Sequence, residues 1–227
     1  MPKMNNFVAV DWCAGPDRIF FFFKEHNSYS RFSLGDNKAD SGYPLPVRGN
    51  WGDHIISAAD LRFGFTTTEP SWNNSIDHLW LFYYQDDTPC VCQFLQQTDS
   101  VISNTTVADS KWAPLLPYFK NIIGVMRRQT TSSVDELRVL LNNGNYLSYD
   151  YTSMTLEVIP LEGSDWADLE QYSDRMMTAV LNDYPTFDRY FYIFLHGNEY
   201  LRYEHESKKI HGPIQIDDES WPGLPHD

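Results

Sequence analysis

Apolar runs of strand length, separated by polar turns, recur along the whole 227-residue chain. Four of them, RIFFFFK at 18–24, HLWLFYY at 78–84, ELRVLLN at 136–142 and RYFYIFL at 189–195, are each followed by a second run. The partners are SYSRFS, CVCQFL, NYLSYDY and EYLRYEH, and the connecting turns are EHNS, QDDTP, NNGN and HGN. Asn, Asp and Gly tolerate positive φ and cap local backbone, so each pair of runs predicts a β-hairpin. Ahead of each hairpin lies a third apolar run with small residues: FVAVDW, IISAADL, IIGVMRR and MMTAVLN. A weaker extended run such as KKIHGPIQI follows, giving three or four strands per unit. Helical periodicity is convincing only after some tryptophans, as in SDWADLEQYSDRMM, which predicts short helices ending some units.

The tryptophans fix the period. Trp51, Trp112, Trp166 and Trp221 are spaced by 61, 54 and 55 residues, which predicts four units. Ala9 to Trp51, Gly124 to Trp166 and Ala179 to Trp221 each span 42 residues, whereas Ala59 to Trp112 spans 53. The extra length in unit two is expected around TTTEPSWNNSI. Units one and four agree residue by residue: at an offset of 171, seven of fifteen positions between 17 and 31 are identical, Tyr29 with Tyr200 and Arg31 with Arg202 among them. Four units of three or four strands predict an all-β, four-bladed β-propeller forming one domain, with blades near 5–54, 55–118, 119–172 and 173–227.

Composition narrows the partners. The formal charge of -14 argues against binding a phosphate backbone, which needs clustered Lys and Arg. No run reaches the roughly 20 apolar residues of a membrane span, and the first residues lack a signal-peptide pattern, so a cytoplasmic location is expected. Three cysteines, Cys13, Cys90 and Cys92, do not make a disulfide framework. Catalysis finds no support: there is no phosphate-binding Gly-rich loop, nucleophile elbow or His-Glu-x-x-His motif, the acid pairs Asp86-Asp87 and Asp217-Asp218 fall in turns, and the seven histidines are scattered.

The chain resembles the hemopexin-like repeat family. RIFFFFKEHNSYSRF and RYFYIFLHGNEYLRY stand where that family has its YFFKGxxYxRY hairpin, and SWPGLP, beginning at Ser220, matches its closing element. The resemblance covers essentially the whole chain and is nearest to small stand-alone members, such as albumin-2-type seed proteins and hemopexin-fold lectins. Two departures stand out. The Asp or Asn that usually opens the inner strand is replaced by Phe7, Ser57, Ile122 and Met177, and the disulfide that joins blades one and four in secreted relatives has no counterpart.

The resemblance implies two levels of backbone carbonyls in a central channel, from Phe7, Ser57, Ile122 and Met177 and from Ala9, Ala59, Gly124 and Ala179. Such rings of hard oxygen suit Ca2+ or Na+. The repeat tryptophans are expected to be blade-closing anchors, and Trp80 a core residue. For function, a carbohydrate-binding lectin leads, because sugars are held by an aromatic plane together with planar polar groups. Candidate ligand residues are Trp72, Asn73 and Asn74 in the blade-two insertion, with Tyr29, Arg31, Tyr146, Tyr200 and Arg202 in the hairpins. The tyrosines also read as interblade packing. The alternatives are an albumin-2-like store or sensor binding spermine or haem, and a protein-docking propeller; a homodimer stays open.

Overall fold

In the computed structural model, residues 4, 6–51, 55, 57–69, 76–128, 136–182 and 190–224 are described. They form four small antiparallel sheets arranged as a four-bladed β-propeller. Blade 1 holds β1 (Phe7–Trp12), β2 (Arg18–Phe23), β3 (Ser28–Ser33) and a broken outer edge, β4 (Lys38–Ala39) and β5 (Leu45–Pro46), both paired with β3. Blade 2 holds β6 (Leu61–Glu69), β7 (Ile76–Gln85), β8 (Thr88–Leu95) and β9 (Ser100–Thr106). Blade 3 holds β10 (Ile122–Arg128), β11 (Glu136–Leu141), β12 (Asn145–Asp150) and β13 (Thr155–Pro160). Blade 4 holds β14 (Met176–Asn182), β15 (Tyr190–Leu195), β16 (Glu199–Glu204) and β17 (Lys209–Gln215).

Within each blade the strands pair in chain order. The hairpin turns carry the expected backbone: Asn27, Asp86, Asp87, Gly144 and Asn198 all have positive φ. The inner strands β1, β6, β10 and β14 touch their neighbours around the ring. Four apolar clusters fill the blade interfaces, and one repeat tryptophan anchors each: Trp51, Trp112, Trp166 and Trp221 are all buried. Trp80 is likewise buried, in the cluster of Trp112.

The register corrects four expected inner-strand positions, one of them Met177, which falls in the β14 bulge so that Met176 pairs with Leu195 as Phe7 pairs with Phe23 and Ile122 with Leu141. Ser57 and Ala59 are not in the blade-2 inner strand. Ser57 caps a single 3-10 turn at Ala58–Asp60, its side chain accepting the Ala59 N–H, and Ala59 is exposed. The strand begins at Leu61, and its small residue is Gly64, paired with Leu81 as Ala9 pairs with Phe21 and Ala179 with Ile193. The physical reason is capping: Ser-Ala-Ala-Asp satisfies its backbone locally in a turn, so small size alone did not identify strand. Gly124 pairs with Leu140 just past a bulge, which aligns it with Thr178, and Val125 with Ala179. Close approach still explains the glycine. A Cβ on Gly124 would lie 2.3 Å from the Ala179 carbonyl oxygen, and one on Gly64 2.7 Å from Val10 Cγ1.

The tryptophan segments show why short helices follow two of them. Ser110 and Ser164 each accept the N–H of the tryptophan two residues on, at 3.1 and 3.0 Å, and donate back to Val107 and Leu161 carbonyls. That ties the chain into a tight entry for 3-10 helices at Ala113–Asn121 and Ala167–Arg175, which cross to the next inner strand.

Closure of the ring falls to the last segment. Trp221 contacts Phe21 and Phe32 of blade 1 and Tyr192, Phe194 and Tyr200 of blade 4. Next to it, the Ala39 N–H donates to the Pro222 carbonyl at 2.8 Å, and the Met4 N–H donates to the Asn198 side chain at 2.9 Å. No disulfide joins Cys13, Cys90 and Cys92.

Candidate ligand cleft between blades

A cleft of about 340 Å3 opens between blades 1 and 2. Its aromatic wall is Trp12, Phe20, Tyr29, Tyr43 and Trp51, and its polar rim includes Arg18, Arg31, Asn50, Gln96 and Asp99. The aromatic wall follows from strand alternation. Trp12 ends β1 and Phe20 and Tyr29 lie on β2 and β3, while Trp51 arrives from the blade-closing segment to stand edge-on to Trp12, Phe20 and Tyr29. Tyr29 also meets Tyr43 edge-on at 5.5 Å. Burial pushes the Tyr29 hydroxyl up to about 12, Tyr43 adding to the effect, so it stays protonated and able to donate.

Polar groups hold this cleft in shape. Gln96 bridges the two blades: its amide oxygen accepts the Cys13 and Ala14 N–H groups at 2.8 and 2.9 Å, and its nitrogen donates to Thr66 Oγ1 at 2.8 Å. Thr66 in turn donates its hydroxyl to the Asp11 carbonyl at 3.0 Å, and its N–H to the Asp11 carboxylate at 3.2 Å. On the opposite side Asp40 accepts from Arg31 Nε and lies 3.7 Å from Arg18 Nε, while the Arg31 guanidinium sits 5.2 Å from the Tyr43 ring centre.

Trp51 and Arg18, which line the cleft, each hold a buried donor without a hydrogen bond, Trp51 Nε1 and Arg18 Nε, the second 3.7 Å from the Asp40 carboxylate. Leaving a buried donor unpaired is costly. The indole nitrogens of Trp112, Trp166 and Trp221 are also without partners. Trp51 is distinguished from them by bordering this cleft.

A second cleft, of about 310 Å3, occupies the corresponding place between blades 3 and 4, lined by Arg138, Asp165, Tyr203, His205, Glu206 and Lys208. Asp165 precedes Trp166 as Asn50 precedes Trp51. Here the cation is internal: the Arg138 guanidinium lies 5.5 and 5.7 Å from the Tyr146 and Trp166 ring centres, and Lys208 pairs with Asp165 at 2.9 Å.

Of the residues predicted to bind ligand, Tyr29 and Arg31 share the first cleft. Tyr146 and Tyr200 are buried in two other blade interfaces, against Trp166 and Trp221, and Arg202 lies 4.4 Å from the Tyr190 ring centre. The structure therefore distributes these positions over separate interfaces. Trp72, Asn73 and Asn74 fall outside the described residues. Trp12, Arg18, Phe20, Tyr43, Asn50, Gln96 and Asp99 were missed in the sequence. Only the residue before each repeat tryptophan carried a readable signal, because Asn50, Lys111, Asp165 and Ser220 differ at an otherwise repeated site.

Among the described residues no group of three or more His, Cys, Asp or Glu is placed to hold a metal ion, and no helix is long and apolar enough to cross a membrane. No family model and no curated protein matches the chain. Among solved structures, a structural-genomics protein of unknown function from Bacteroides thetaiotaomicron aligns with 92% of this chain at 12% identity and a TM-score of 0.38. The chain spans 43% of that protein's length.

Proposed function

We propose that this propeller is a non-enzymatic, hemopexin-like binding protein that recognises carbohydrate in the cleft between blades 1 and 2. One observation carries the reading: aromatic residues, Tyr29, Tyr43 and Trp51 among them, and the polar side chains Arg31, Asn50 and Asp99 line one cleft between the two blades. Aromatic rings suit the apolar face of a sugar ring, and planar polar groups suit its hydroxyls. Asn50 and Asp99 add groups that pair with hydroxyls at the rim.

The guanidinium groups of Arg18 and Arg31 in this cleft weigh against the spermine alternative, because like charges repel a polyamine. Haem is less well served still, since no histidine among the described residues lines this cleft. The corresponding cleft between blades 3 and 4 offers a second place for weak binding, and two such sites would support multivalent capture of a branched glycan.

A glycan array with red-cell agglutination tests the proposal. Binding of a glycan family is expected, and Asn50→Ala or Asp99→Ala should weaken it by about tenfold, the value of one ligand hydrogen bond, with the melting temperature unchanged. No glycan bound and no agglutination would remove the lectin reading. A hard cation on inner-strand carbonyls is a separate proposal, in which blade 2 would contribute from β6. A melting temperature lowered by chelator supports it, and an unchanged one contradicts it.

A further inference from the structure

The interface between blades 2 and 3 holds an ammonium group in an aromatic box. Lys111 Nζ lies 4.5 Å from the Trp80 ring centre, 4.6 Å from Tyr151 and 5.0 Å from Trp112. Two of the rings, Trp80 and Trp112, are buried and held in place. Trp80 is fixed by its indole N–H donating to Thr67 Oγ1 at 2.8 Å, and Trp112 stands at 73° to Trp80 and 45° to Tyr151, so the rings face one space from different sides. Its walls come from both blades, with Trp80 on β7 and Tyr151 just past β12.

The occupant is held at its backbone and free at its tip. The Lys111 carbonyl accepts from the Tyr149 hydroxyl, while the side chain is only half-buried and can turn outward. Corresponding positions hold Asn50, Asp165 and Ser220, so Lys111 is an addition of this one interface and no requirement of the blade. Burial holds the Lys111 ammonium below the usual lysine range, Glu69 partly opposing it, so the charge is imperfectly accommodated. A quaternary ammonium is larger and far less tightly hydrated, and three ring faces compensate it better. Glu69 and the net charge of -14 favour any cation approaching this face.

We propose that Trp80, Trp112 and Tyr151 form a binding site for quaternary ammonium ligands, the class of choline and trimethylated lysine, with Lys111 as its resident competitor. The site is independent of the carbohydrate cleft.

The test is calorimetric titration with tetramethylammonium and choline, using 3,3-dimethylbutan-1-ol as the neutral shape match of choline. Lys111→Ala should bind both cations about tenfold more tightly than the native protein and should not bind the alcohol, and Tyr151→Ala added to it should weaken the binding. The native protein provides a variant-free readout: ring currents shift the Lys111 ε-methylene NMR signal, and tetramethylammonium should move it toward its free position. A folded Lys111→Ala that binds no cation, or binds the alcohol equally, overturns the proposal, as does a Lys111 signal unmoved by saturating tetramethylammonium. Loss of stability without any binding would leave Lys111 a latch between blades and overturn it equally.

Discussion

Gly124 sits where the inner strands of blades 3 and 4 approach closely. A methyl group there would press on the backbone of Ala179 in the next blade, and backbone cannot swing aside as a side chain can. Gly124→Ala is expected to cost about 1–3 kcal/mol or more, read as a lower midpoint in urea denaturation; an unchanged midpoint would contradict the packing described. Titrating groups give a second residue-scale prediction. Burial pushes the Tyr29, Tyr83 and Tyr149 hydroxyls and the Cys92 thiol up to about 12. Above pH 10 the unfolded chain releases protons that the folded one keeps, so these groups lower stability as pH rises toward 12. Lys24 acts in the opposite sense: burial lowers it to about 8, so it favours folding as pH rises from 8 toward the ordinary 10.5. Three tyrosines and a cysteine outweigh one lysine, and the melting temperature should fall between pH 10 and 11. A flat profile there would contradict those burial shifts.

Among the elements, hairpins were the most legible in the sequence, because alternating apolar runs around Asn, Asp and Gly turns are specified locally. The strand pairs beginning with Arg18, Glu136 and Tyr190 start at or within a residue of the apolar runs that predicted them. Inner strands were legible as runs but not in register, since β6 is preceded by a capped turn that mimics a small-residue strand, and since bulges in β10 and β14 absorb one residue each. The tryptophan segments were found by spacing, yet their 3-10 entries depend on Ser110 and Ser164, whose role needs the fold to be seen. The cleft was least legible of all. Tyr29 and Arg31 were found through repetition, whereas Trp12, Asn50, Gln96 and Asp99 converge from segments far apart in the chain. Replacing Ser164 with Ala should loosen the Trp166 segment alone, raising amide exchange over 161–169 by about tenfold while β1 and β2 stay unchanged; equal exchange everywhere would contradict a local role.

On the scale of the whole molecule, four interface cores are held in a ring whose closure rests on apolar packing. With no disulfide among Cys13, Cys90 and Cys92, reducing agent should leave the melting temperature unchanged. Truncation after Glu219 removes Trp221, which joins blade 4 to blade 1, and should abolish cooperative unfolding; a truncated chain that melts like the intact one would contradict this closure. A closed ring also gives each tryptophan a fixed place, so one spectrum can test the carbohydrate assignment. In a nitrogen–proton NMR titration with an array-selected glycan, the Trp51 indole N–H should move saturably as the ligand fills the cleft that Trp51 lines, while the Trp112 and Trp221 signals stay fixed. Saturable glycan binding with Trp51 unmoved, or no glycan that moves it, would contradict the account.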